Sequence, residues 1–373
     1  MLAPTPPMGW NSWNTFGGDI SEEVVRQTAD AFLDTGLKDA GYRYVVIDDC
    51  WSLRERGPDG RIVADPGKFP SGMKALADYV HAKGLRFGMY SCVGTQTCAG
   101  YPGSFANEEL DARTFAEWGV DFLKYDYCYK PAGADGKMLY RRMGQALRQT
   151  GRPILYSMCN WGRDEPWKWA ASCGAHMWRT TGDIVDSWKS IVDIGFSQDG
   201  LEAYAGPNRW NDPDMLVVGL YGKGNVGFAG GCTDAEYRTH FGLWCLLASP
   251  LMIGCDVRSM TPFVKGLLTT KGAIAVNQDP LGVQARRIGE PWLHGEVWAK
   301  PLHDGSVAAG LFNRTDNEER LVPLAWESAG LHDRREAVVS DLWTDEEIGA
   351  FRGSYVASVG PHDCALVKVT PVT

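Results

Sequence analysis

Residues 117–126 read E-W-G-V-D-F-L-K-Y-D. A helix-like segment stops at Gly119, an apolar run starts at once, and the run ends on a carboxylate. The same order recurs on both sides, as D-A-G-Y-R-Y-V-V-I-D-D at 39–49, A-K-G-L-R-F-G-M-Y-S at 82–91 and Q-T-G-R-P-I-L-Y-S-M at 149–158. Gly41, Gly84, Gly119 and Gly151 each suit the left-handed stop of a helix, where the missing Cβ removes a steric penalty. Ser21 ahead of Glu22 and Glu23, and Ser71 ahead of M-K-A-L-A-D-Y-V, supply matching helix starts. The glycines stand 43, 35 and 32 residues apart, room for one strand and one helix each. Such alternation implies parallel strands with right-handed crossovers, in a closed (β/α)8 barrel or an open doubly wound sheet.

Two observations favour the closed barrel. Polar or aromatic residues end many different runs: Trp13, Asp48 and Asp49, Tyr90, Asp126, Asn160 and Arg179. A barrel gathers them at one mouth, whereas an open sheet strings them along an edge. No G-x-G-x-x-G follows the first strand, so the phosphate loop of a dinucleotide-binding sheet is missing. H-M-W-R-T (176–180), A-Y-A-G-P-N-R-W (203–210) and S-P-L-M-I-G-C (249–255) supply the last three strands. After I-A-V-N-Q-D-P-L-G the texture changes to short alternating runs such as G-E-V-W-A-K-P-L and A-L-V-K-V-T-P-V. We read residues 1–282 as an α/β TIM barrel and 283–373 as a small antiparallel β-sandwich domain.

The 373 residues suffice for a barrel of about 250 residues plus that extra domain. A formal charge of -9 without a Lys/Arg-rich run argues against nucleic acid and anionic membrane surfaces as partners. No run of roughly 18 apolar residues is present, and M-L-A-P-T-P-P-M-G-W-N lacks the character of a secretory signal. We therefore expect either a chain made without a signal or a secreted one that has lost it. Ten cysteines without a C-x-x-C pair, and no clustered histidines, speak against structural zinc, and no metal or cofactor is expected. Fifteen tryptophans suit sugar rings as well as core.

Lys124 and Asp126 alternate in a buried strand, so both side chains point to one side, near the barrel mouth. An isolated pair of this kind is commonly structural. Here further carboxylates end other strands, in I-D-D-C-W (47–51), W-R-T-T-G-D-I-V-D-S-W (178–188) and R-W-N-D-P-D-M-L (209–216). Like charges collected at one mouth repel, which points to a ligand or a chemical task.

In order along the chain, M-G-W-N-S-W (8–13), V-I-D-D-C-W (46–51), T-C-A-G-Y-P-G-S (97–104), L-K-Y-D-Y-C (123–128), C-N-W-G (159–162), W-R-T-T-G-D-I (178–184), W-N-D-P-D-M-L (210–216) and N-Q-D-P-L-G (277–282) resemble glycoside hydrolase family 27. This is the family of α-galactosidases and α-N-acetylgalactosaminidases. The resemblance implies a retaining exo-glycosidase acting on terminal α-linked galactose, with Asp126 as nucleophile and Asp183 as general acid/base. Their carboxyl groups should then stand about 5–5.5 Å apart. Lys124 is expected to lower the pKa of Asp126, and Asp126 to raise that of Asp183 once substrate excludes water, with Arg179 opposing if it is close.

By the same resemblance Asp48 and Asp49 accept from the 4- and 6-hydroxyls and Lys124 reaches the 3- and 4-hydroxyls. Trp13 forms an apolar wall, and Tyr90 and Arg179 contact the sugar. Cys159, Asn160 and Trp161 lie beside the 2-position. Asp214, with Asp212, bonds Arg179, the substrate or loop amides. Cys98 and Cys128 match a family disulfide, while Cys50 is expected free. Trp51 is either wall or core, His176 and Cys92, Cys232, Cys245, Cys255 and Cys364 read as packed residues, and Cys173 has no assignment. The partner is a small carbohydrate, and the sequence does not show the oligomeric state. Close alternatives are an α-N-acetylgalactosaminidase or a β-L-arabinopyranosidase. An inactive sugar-binding barrel would lose one of the two catalytic carboxylates. A metal-dependent hydrolase would need His or Glu at strand ends.

Overall fold

The computed structural model describes residues 1–289 and 295–372. Eight parallel strands run β1 Met8–Asn11, β2 Tyr44–Val46, β3 Arg86–Cys92, β4 Phe122–Asp126, β5 Leu155–Cys159, β6 Met177–Arg179, β7 Trp210–Asp212 and β8 Leu251–Ile253. They pair in the order β7-β6-β5-β4-β3-β2-β1-β8. The ring closes one step beyond β7. The Leu216 amide donates to Met252 O at 2.8 Å, and the Gly254 amide donates to Leu216 O at 2.9 Å.

The unit around Gly119 shows why the sequence folds this way. Helix Glu108–Trp118 stops there with φ +83, and the Val120 amide returns to Phe115 O at 3.0 Å. The chain then enters β4, whose register sets Phe122 beside Gly88 and Leu155, Lys124 beside Tyr90 and Ser157, and Asp126 beside Cys92 and Cys159. Alternate residues share a face. The inward set therefore climbs from an apolar floor of Tyr44, Val46, Phe122, Leu155, Met177, Trp210 and Met252 to a charged layer at the C-terminal rim. The outward set, with Val45, Phe87, Leu123, Tyr125, Tyr156 and Trp178, packs under the helices. At Gly88 a Cβ would come within 2.6 Å of Val46 Cγ2, so only glycine fits that floor.

Two local expectations are corrected. The seventh strand lies at Trp210–Asp212, beyond most of the run 203–210. Gly206 and Pro207 break that run into a turn, closed by the Gly206 amide on Arg209 O, with Asn208 at φ +67. Ser71 does not cap helix Gly72–Ala82 with its side chain. Its amide donates instead to Glu22 Oε2 at 2.9 Å, while Ser21 does accept from the Val24 amide.

Beyond the barrel, β9 Arg286–Ile288, β10 Glu296–Pro301, β11 Val307–Phe312, β12 Arg320–Ala325, β13 Glu336–Asp341, β14 Glu347–Arg352, β15 Ser354–Val359 and β16 Cys364–Pro371 are antiparallel. Six form one sheet, β14-β13-β16-β11-β10-β9, and β12 pairs with β15 across a core of Val297, Leu311, Val322, Leu324 and Trp326. The other face of the large sheet brings Trp298 and Phe312 against Phe196 of the barrel, with ring centroids 6.0 and 5.3 Å apart. Among the described residues no helix is long and apolar enough to cross a membrane.

Candidate active site

The charged rim encloses a cavity of about 470 Å³. It is lined by Trp13, Asp48, Asp49, Tyr90, Lys124, Asp126, Trp161, Arg179, Asp183 and Asp214. A larger cavity, about 580 Å³, opens among Leu2, Arg148, His176 and Asn208. Among the described residues no carboxylate lines it, so the chemistry belongs to the smaller one. His176 there accepts from the Tyr156 amide at 3.0 Å, a packed residue as expected.

Asp126 is buried at the end of β4. Its Oδ1 accepts from the Tyr127 amide at 2.8 Å and its Oδ2 from the Tyr90 hydroxyl at 2.9 Å. Burial pushes its pKa up to about 6, although the Lys124 charge and both hydrogen bonds oppose the rise. Lys124 thus lowers the Asp126 pKa as expected, but loss of water outweighs that charge and the net shift is upward. Lys124 itself is held at 2.8 Å by Asp48 Oδ2, which also accepts from Asn11 Nδ2 at 2.7 Å. Burial alone would lower the lysine pKa, but the surrounding anions, Asp48 foremost, hold it above the usual range.

Asp183 stands at the mouth with its side chain 72% exposed, and its Oδ1 accepts from Arg179 Nη2 at 3.0 Å. Such burial as it has would raise its pKa. The Arg179 charge, then that of Lys124, and the Arg179 hydrogen bond outweigh this and hold the carboxyl below the usual range. Arg179 therefore opposes an elevation, as expected of it when close, and the elevation itself is expected only for the substrate-filled site. Arg179 is buried and bridges outward, its Nη1 lying 3.0 Å from Asp214 Oδ1. Asp214 Oδ2 accepts from the Ile184 amide at 2.8 Å, so this carboxylate fixes both Arg179 and the backbone beside Asp183. Asp212 Oδ1 in turn accepts from the Asp214 amide at 2.9 Å.

Asp49 turns its carboxylate to the Cys50 and Ala99 amides, at 2.7 and 2.9 Å, and burial raises its pKa. Of the C-N-W-G segment only Trp161 lines the cavity. Cys159 lies buried under Arg179, its Sγ 3.5 Å from Nη1. Asn160 tucks its amide nitrogen onto Arg163 O, and its buried Oδ1 has no partner among the described residues. Trp161, at φ +57, reverses the backbone and takes the cavity side. Trp51 is core, with Nε1 on Tyr90 O at 2.9 Å and its ring against Trp118.

Cys98 and Cys128 are joined, with Cα atoms 5.2 Å apart, and Cys98 Sγ lies 3.5 Å from Asp126 Oδ2. These two sulfurs and the Asp126 carboxylate are close enough to suggest a metal site, but a disulfide has no thiolate to offer. Cys50 is free and buried, as are Cys92, Cys159, Cys173, Cys232, Cys245, Cys255 and Cys364. Because the bridge closes a span of 30 residues, Cys128→Ser is expected to lower unfolding free energy by about 3 to 4 kcal/mol. Urea denaturation of the variant against the oxidised wild type measures this, and an unchanged midpoint would refute it.

Five carboxylates and two cations in one cleft make a site rich in acceptors, suited to the donated protons of a neutral polyol. Comparison with known proteins agrees. Residues 5–279 match the family described as alpha galactosidase A, and residues 294–369 match the alpha galactosidase C-terminal beta sandwich domain. The chain belongs to glycoside hydrolase family 27. It is 48% identical to an α-galactosidase of Cyamopsis tetragonoloba over 99% of this chain and 87% of the relative. The crystal structure of α-galactosidase I from Mortierella vinacea superposes with a TM-score of 0.91 at 36% identity, covering 99% of this chain and 97% of that one. The α-galactosidase from Saccharomyces cerevisiae with raffinose superposes at 0.89 and 31% identity, covering 100% and 98%.

In this family 27 chain the structure also brings Asn225, Val226 and Phe228 to the cavity, which the sequence reading did not single out. They sit in G-K-G-N-V-G-F-A-G-G, residues 222–231, whose composition reads as plain turn. The one available signal was a lone phenylalanine among five glycines.

Proposed function

We propose that the chain hydrolyses terminal α-linked galactosides with net retention. The observation that carries this reading is that Asp126 and Asp183 line one cavity in contrasting settings, one buried on the floor and one exposed at the rim. Asp126 attacks the anomeric carbon while Asp183 protonates the departing glycosidic oxygen, and Asp183 then takes a proton from the water that hydrolyses the glycosyl-enzyme. The Tyr90 and Tyr127 bonds aim Asp126 and hold its charge.

Asp183 must carry a proton when the ring departs. In the open site Arg179 and bulk water keep it ionised. A bound pyranose excludes that water and lengthens the reach of the Asp126 charge, both of which raise its pKa. Asp48, Asp49 and Lys124 take the 3-, 4- and 6-hydroxyls. Ionic partners at the 4-position reject the equatorial epimer, since it would leave them unpaired. Trp13 and Trp161 close the apolar sides, and Trp161 leaves little room for a 2-acetamido group.

Proton NMR of p-nitrophenyl α-galactoside hydrolysis will show α-galactose first. Initial β-galactose would refute retention. In the same assay kcat/KM should be larger than for the N-acetylgalactosaminide and the β-L-arabinopyranoside, and insensitive to EDTA. An equal or larger value on either competitor would reassign the glycone.

A further inference from the structure

Phe228 is 79% exposed, yet it lines the same cavity as Asp183. Its loop is mounted firmly rather than hanging free. On one side the Asn225 and Val226 amides donate to Thr15 O and Asn14 O, each at 3.2 Å. On the other, Asp186 donates its amide to Val226 O at 3.2 Å and accepts from the Gly222 amide at 2.8 Å through Oδ2. Asp186 is fully buried and fixed by the Tyr237 hydroxyl at 2.9 Å. The glycines serve close contact, since a Cβ at Gly224 would lie 2.8 Å from Asn14 O and one at Gly231, at φ +87, 2.4 Å from Gly222 N. A single exposed ring is ordinary on a surface, but this one is fixed at the wall of the catalytic cavity, where its open face meets whatever enters.

Its place indicates which partner. The glycone groups Asp48 and Asp126 are buried at the floor, whereas Asp183 at the mouth marks where the glycosidic oxygen sits. Whatever lies beyond that oxygen is the leaving group. Phe228 shares the outer wall with Ile184 and Val185, which directly follow Asp183. Resting on the glycosidase reading above, we propose that Phe228 is the stacking platform for the leaving-group sugar, so that it sets the preference for an aglycone carrying a pyranose ring. The apolar C–H face of that ring lies on the phenyl face while its hydroxyls stay in water.

The test compares two substrates with one glycone. α-Galactosyl fluoride has no aglycone ring, and α-galactosyl-(1→6)-glucose has one. Phe228→Ala should lose about five- to twentyfold in kcat/KM on the disaccharide, mostly through KM, and stay within about twofold of wild type on the fluoride. Phe228→Trp should restore the disaccharide. Equal losses on both substrates would overturn the proposal, because the side chain would then support the glycone or the fold. No loss on the disaccharide would overturn it as well. A wild type inactive on the fluoride would instead overturn the glycosidase reading and this platform with it.

Discussion

Asp126→Asn will lower kcat on p-nitrophenyl α-galactoside by about 10⁴-fold or more and will make the protein more stable at neutral pH. Both effects come from one fact, that a carboxylate is kept where water is scarce. The native pKa is raised from the ordinary aspartate range to about 6 by burial, against Lys124, Tyr127 and Tyr90. Below about pH 4 both folded and unfolded states hold the proton, and the group costs nothing. Between about pH 4 and 6 only the native state holds it, so this group's contribution falls as pH rises. Above about pH 6 the full cost stands, roughly 3 kcal/mol. The amide has no charge to desolvate and still accepts from Tyr90. Urea midpoints should therefore favour the variant by about 2 to 3 kcal/mol at pH 7.5 and by nearly nothing at pH 4. The wild type should lose kcat/KM as pH falls through about 6, when Asp126 takes up a proton. Near-wild-type turnover, or an equal stability gain at both pH values, would defeat the account.

The frame of the molecule was legible because it rests on local rules. Gly119 needs a positive φ, strand parity puts Lys124 and Asp126 on one side, and a run of such units closes into a ring. What failed depended on competition across space. Alternation says that Lys124 and Asp126 share a face, but not that Asp48 engages the ammonium or that lost hydration outweighs it. The order C-N-W-G says that three residues end β5, but not that the reversal at Trp161 sends Asn160 away from the cavity. The seventh strand was misplaced because a run with Gly206 and Pro207 forms a turn once Trp210 is seated in the barrel floor. Phe228 was passed over since its neighbours are loop residues, and only the fold brings residue 228 beside residue 183.

Asp183→Asn should show a loss that depends on the leaving group, which is how an acid/base differs from a residue that merely holds shape. Methyl α-galactoside expels a poor leaving group that needs a proton, so its kcat/KM should fall about 10³- to 10⁴-fold. α-Galactosyl fluoride departs without that proton, so its first step should change little. The second step still lacks a base for water, and the galactosyl-enzyme on Asp126 should accumulate as a burst. Azide needs no base. It should relieve the block and give α-galactosyl azide, because it attacks the face that the aglycone left. Asp126→Gly with azide must give the β product, since azide then takes the nucleophile's own place. The fold should survive Asp183→Asn, as this side chain is 72% exposed and Arg179 keeps its ion pair with Asp214. Equal losses on the methyl glycoside and the fluoride, or a β-azide from the Asp183 variant, would mean that residue 183 does not move the proton.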